Sequence, residues 1–130
     1  MNQRTKLVQN DNGPSLIFTL ANAKTGVPLS IPGATAVMHL RQIGSTGVKE
    51  AIPLTLLPGI EMRDWRGVVS LTTTSPYDVA GSGGRVRLDW TATSLDTPGS
   101  FEGEVEVTLA NGRRFTVDRL AKFAIRPEVA

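Results

Sequence analysis

Apolar and polar side chains alternate strictly along the second half of the chain. Val86, Leu88, Trp90 and Ala92 alternate with Arg87, Asp89, Thr91 and Thr93. Phe101, Val105, Val107 and Leu109 alternate with Glu102, Glu104, Glu106 and Thr108, and Phe115 and Val117 with Arg114, Thr116 and Asp118. A period of two sends successive side chains to opposite faces, so each run predicts a strand with one buried and one wet face. The first half carries shorter runs of the same kind: Leu16, Phe18 and Leu20; Ala36, Met38 and Leu40; Val48, Ile52, Leu54 and Leu56. Pro53 inside the last of these points to an edge. RGVVSLTTT (66–74) adds a short strand, PGIEMRDW (58–65) reads as a loop, and VPLSIPG (27–33) reads as an edge or a connection. SPYDVAGSGG (75–84) has room for one helical turn, but no segment sustains helical spacing for three turns. With 13 glycines and 8 prolines as punctuation, the pattern predicts an all-β sandwich or barrel.

Two turns fix expected registers. Thr97-Pro98-Gly99-Ser100 reads as a β-turn; the hairpin it implies sets Ala92 against Val105, Trp90 against Val107 and Leu88 against Leu109, apolar against apolar. At Asn111-Gly112, a two-residue loop would place Phe115 opposite Thr108 on the wet face. A three-residue loop, Ala110-Asn111-Gly112, pairs Leu109 with Arg113, Val107 with Phe115 and Val105 with Val117. The longer loop is expected, with Gly112 left-handed, because a slip of one residue turns every side chain over. Together the late runs read as a C-terminal β-meander.

The length, 130 residues, suits one domain with a core that needs no staple. Residues 1–13 are polar and read as an N-terminal arm; residues 14–130 read as the domain. The absence of cysteine rules out disulfides and thiolate metal sites. No run approaches the ~18 apolar residues of a membrane span, and MNQRTKLVQNDNG lacks the apolar core of a secretion signal. A formal net charge of +2 does not describe a nucleic-acid binder. Arg113, Arg114, Arg119, Lys122 and Arg126 face only Asp118 near the end. That bias reads more readily as a solvated edge that discourages stray strand pairing than as a contact for an acidic neighbour.

Residues able to do chemistry are sparse. His39 has no serine, cysteine or aspartate motif beside it and reads as a strand histidine. Glu102, Glu104 and Glu106 stand ~6.8 Å apart on one strand face, opposite an apolar face, so they read as solvated, with Arg114 across the hairpin to neutralise them. Asn10-Asp11-Asn12-Gly13 lacks the later bidentate acid of a calcium loop and reads as a turn. GSGGR (81–85) lacks the lysine, hydroxyl and helix of a nucleotide loop and reads as a flexible connection. No catalytic residue, cofactor or metal is expected. Trp65 and Tyr77 occupy turn-like contexts, either as exposed anchors for a partner or as caps on the ends of the sandwich.

The order of the late motifs carries a resemblance. A strand ending in Trp90 is followed by Asp96-Thr97-Pro98-Gly99, Phe101 and Gly103, Asn111-Gly112-Arg113, Thr116, and a closing strand at Phe123 to Arg126. Earlier come an apolar strand from Leu16, a turn at Lys24-Thr25-Gly26, and Pro32-Gly33-Ala34-Thr35 leading to Leu40-Arg41. This resembles the immunoglobulin-like domain of tailed-phage baseplate upper proteins and related virion components. The resemblance implies a single immunoglobulin-like antiparallel β-sandwich. It also implies a non-enzymatic structural part of a tail, baseplate or neck, made in the host cytoplasm and placed in the virion. Its partners would be other virion proteins in a multicopy or homo-oligomeric assembly, with no nucleic acid and no membrane. Capsid decoration, head-fibre anchoring and carbohydrate or receptor binding are the alternatives. The residues expected to touch neighbours are Asn2, Arg4, Lys6 and Asp11 of the arm, Trp65 and Tyr77, and the basic Arg119 and Arg126.

Overall fold

The computed structural model describes residues 4–13, 15–22, 24–117 and 121–128. The described residues form ten strands and no helix: β1 (Arg4–Val8), β2 (Leu16–Thr19), β3 (Thr35–Gln42), β4 (Glu50–Leu56), β5 (Ile60–Arg63), β6 (Val69–Thr72), β7 (Arg85–Leu88), β8 (Gly99–Thr108), β9 (Arg114–Thr116) and β10 (Ala121–Arg126). One sheet runs β1-β10-β8-β3-β4-β7-β2, with β9 on the same side of β8 as β10, and β5 and β6 form a separate hairpin. The long sheet folds at β4. Residues 50–54 of β4 pair with β3, whereas Thr55 and Leu56 pair with Arg87 and Val86 of β7. The chain is therefore all-β, an immunoglobulin-like sandwich in the architectural sense of two β-layers closed over one core. Pro53 lies where β4 has β3 on one side and β7 has not yet joined the other, so its missing N–H costs no ladder bond.

The inward phases hold within β3, β4, β7 and β8, whereas Val48 and Ala92, read in the same phases, lie beyond the strand ends and are exposed. Ala36, Met38 and Leu40 of β3, Ile52 and Leu54 of β4, Val86 and Leu88 of β7, and Phe101, Val105 and Val107 of β8 are buried together. Each fully buried large apolar side chain contributes roughly 1.5–3 kcal/mol. Trp90 is 5 % exposed and meets Phe123 edge to face, with centroids 5.3 Å apart. The second turn is the three-residue form. The Leu109 N–H donates to the Arg113 carbonyl, Val107 pairs with Phe115, and Gly112 has φ of 88°.

Four expectations need correction. First, β7 does not pair with β8: it lies between β4 and β2 in the other layer, and residues 90–98 cross between layers, with Ser94 and Leu95 buried on the way. Alternation identifies the buried face, and both layers bury theirs in the same core, so matching phases did not identify the neighbour. Second, the stretch read as an arm supplies β1, which pairs with β10 in parallel, so the sheet is mixed. Leu7 is buried there and Lys6 exposed; an edge strand needs little more than one apolar anchor. Third, PGIEMRDW is not a loop throughout, because Ile60–Arg63 is β5. Fourth, the glycine-rich stretch before β7 is tightly packed. A Cβ on Gly83 would lie 2.2 Å from the Gly59 carbonyl oxygen, and one on Gly84 2.5 Å from that of Leu20. Glycine serves there to let backbones touch, and no helical turn forms at 75–84.

Candidate functional site

The β5–β6 hairpin stands outside the sandwich. Its register pairs Glu61 with Leu71, Met62 with Ser70 and Arg63 with Val69. Apolar residues therefore occur on both faces, and residues 61–71 are all exposed. An isolated two-stranded hairpin is marginal in water, so this one depends on its ends. At the root, the Gly59 N–H donates to the Tyr77 carbonyl at 2.7 Å and the backbone of 59–60 lies against Gly83.

At the tip the chain closes by the same device as at 109–113. The Asp64 N–H donates to the Val68 carbonyl, the Gly67 N–H donates to the Asp64 carbonyl, and Gly67 has φ of 82°. The Asp64 carboxylate accepts the N–H groups of Arg66 and Val68 at 2.8 and 2.9 Å. These donors, Val68 first, hold the Asp64 carboxyl below its ordinary range. Arg63 donates to the Gly67 carbonyl at 3.0 Å. The loop thus presents Trp65, 92 % exposed, with the Arg66 guanidinium 5.6 Å from its ring centroid. The indole caps no end of the sandwich. Tyr77 is half-buried near the root.

The other expected contact residues gather on a different element. Lys6 of β1 pairs in register with Ala124, Val8 with Arg126, and Arg4 with Lys122. Lys6 and Arg126 are exposed, and Asp11 is exposed in the turn after β1. That turn is stitched down: Asn10 donates to the Leu95 carbonyl and, through its side chain, to Glu128. Asn2 and Arg119 lie outside the described residues. The fold therefore places the described candidates on or just after a basic β1–β10 edge and on or beside a tryptophan-tipped hairpin.

His39 lies half-buried on the outer face of β3, where it lines a shallow cleft of about 310 Å³ with Arg41, Val48, Glu102 and Glu104. Register places His39 beside Glu104 and Arg41 beside Glu102. Glu102 is ion-paired with Arg41 of β3, while Arg114, expected to neutralise the glutamates, pairs in register with Thr108. Among the described residues, no three His, Asp or Glu side chains come together as a set able to hold a metal ion. The sequence reading missed the hairpin's extent. Its signal was Arg63, Asp64 and Gly67 bracketing Trp65 between apolar runs.

No protein-family model and no curated protein matches this chain. Among solved structures, a family 123 glycoside hydrolase from Clostridium perfringens aligns over 99 % of this chain at 13 % identity and TM-score 0.39. The chain spans 24 % of that enzyme's chain. Murine CRIg aligns over 97 % of this chain and 92 % of its own at 9 % identity and TM-score 0.29.

Proposed function

We propose that this chain is a non-enzymatic structural module that holds a fixed place in a multicopy protein assembly through its β5–β6 hairpin. One observation carries the reading: a fully exposed tryptophan is held on a loop whose turn is closed by five hydrogen bonds of backbone and side chains. A side chain ordered before it meets its partner loses little freedom on binding, and tryptophan is enriched among the residues that dominate interfaces. The basic β1–β10 edge supplies a second, weaker contact region, since rim charges steer association more than they hold it.

The sequence resemblance supports a tailed-phage virion as the setting, in tail, baseplate or neck. Mass spectrometry and immunolabelling of purified particles test it. The expected result is the intact chain at a fixed copy number and a defined position; its absence from purified particles overturns the virion setting. A carbohydrate- or receptor-binding module is the second reading, favoured by the same exposed Trp65. Glycan-array binding that Trp65→Ala abolishes would favour it over assembly.

A further inference from the structure

Asn-Gly occurs twice in the chain, at Asn12-Gly13 and at Asn111-Gly112. The dipeptide carries its own reaction. The glycine nitrogen, unhindered because its residue has no side chain, attacks the carbonyl carbon of the asparagine side chain. A nitrogen–carbon bond forms and closes a five-membered succinimide. The carbon–nitrogen bond of the side-chain amide breaks, and its nitrogen leaves as ammonia with the proton from the glycine N–H. Water then opens the ring at either carbonyl, leaving aspartate or isoaspartate with no change of oxidation state.

The fold treats the two sites differently. In the β8–β9 turn both reacting groups are engaged. The Gly112 N–H donates to the Leu109 carbonyl at 2.9 Å, and the Asn111 side-chain oxygen accepts the Arg113 N–H at 3.0 Å. Ring closure there has to break both bonds and open the turn that sets Phe115 beside Val107. After β1 the restraints stop one residue short. The Asn10 N–H donates to the Leu95 carbonyl at 2.8 Å and the Asp11 N–H to the Val8 carbonyl at 3.2 Å. Among the described residues, the Asn12 side chain and the Gly13 N–H have no hydrogen-bond partner. Both residues are exposed and lie outside any strand, and beyond its chain neighbours nothing lies within 4 Å of the position of a Gly13 Cβ.

We propose that Asn12 is a self-modification site, converting to aspartate and isoaspartate in the folded chain while Asn111 is protected by its turn. The inference is independent of the assembly reading. Asn12 follows the exposed Asp11 just beyond β1, at the end of the basic β1–β10 edge. Conversion adds a second carboxylate there and lowers the formal net charge of +2 by one. Isoaspartate also lengthens the main chain by one carbon at that point. The edge therefore loses positive charge as the chain ages, with the core untouched.

Incubation of the folded chain at mildly alkaline pH, followed by peptide mapping, reads both sites together. Replacement of NH2 by OH appears as a mass gain, and an isoaspartyl methyltransferase labels the isoaspartate. Asn12 should convert at least about tenfold faster than Asn111, the ratio that a local opening costing about 1.4 kcal/mol imposes on the protected site. In urea the two rates should converge. On ion exchange, the acidic form that accumulates in the wild type should be missing from Asn12→Gln. Equal rates in the folded chain overturn the proposal, as does an unconverted Asn12 while the unfolded chain reacts. A ratio that persists in urea, or an acidic form that accumulates unchanged in Asn12→Gln, overturns it as well.

Discussion

Gly112 and Gly83 both reject a side chain, for unrelated reasons. Gly112 has φ of 88° with nothing near the position of a Cβ. Its substitution by alanine or valine costs only backbone strain, about 1–2 kcal/mol, and asparagine, which tolerates this conformation, should recover most of it. At Gly83 any Cβ collides with the Gly59 carbonyl, so alanine and asparagine should be equally damaging, by about 1–3 kcal/mol or more. Urea unfolding of the five variants separates the two causes. Asp64 differs again, because its role depends on charge. N–H donors, that of Val68 first, hold its folded-state pKa below the ordinary carboxylate value. The tip is therefore held fully above the unfolded pKa of ~3.9 and loosens as pH falls through the lower folded value. The protection factors of the Arg66 and Val68 amides against exchange should fall at acid pH in the wild type and be low at every pH in Asp64→Ala. The two tryptophans should separate cleanly: Trp90→Ala should cost about 3–5 kcal/mol, and Trp65→Ala should stay within about 0.5 kcal/mol.

Among the elements, β1 carries the sharpest consequence. Reading residues 1–13 as an arm predicts that their removal leaves stability unchanged. Pairing of β1 with β10 and burial of Leu7 predict the opposite. Leu7→Ala should cost about 2–3 kcal/mol, and deletion of residues 1–9 should lower the melting temperature and expose the edge of β10 to aggregation. The strands that were legible in the sequence are those whose alternation spans several residues, such as β3 and β8, because a two-sided periodic pattern has few other uses. The three-residue turn was legible for the same reason, since only one register keeps Phe115 beside Val107. β5 was hidden because neither of its faces is buried, so Ile60-Glu61-Met62-Arg63 carries no core signature. The partner of β7 was hidden because pairing across layers depends on the crossover at 90–98, where Ser94 turns the chain by accepting the Thr91 N–H.

At the scale of the whole molecule, the core of the sandwich is apolar, and among the described residues half of the large apolar side chains that are exposed lie on one projection, the others, such as Ile17, Val27 and Val48, being scattered over the sandwich. Met62, Trp65, Val68, Val69 and Leu71 are all exposed there. A surface patch of that kind supports the proposed contact, and the Trp65 loop was the part of the candidate site legible from sequence, because a tryptophan among turn residues has no core phase to join. The central claim is that the hairpin is dispensable for folding and required for assembly. The most direct test compares Trp65→Ala with the wild type in one preparation, reading melting temperature on the isolated chain and copy number in the purified assembly. Unchanged melting with a large loss of incorporation is the predicted result. Incorporation equal to wild type, at an unchanged melting temperature, would contradict it.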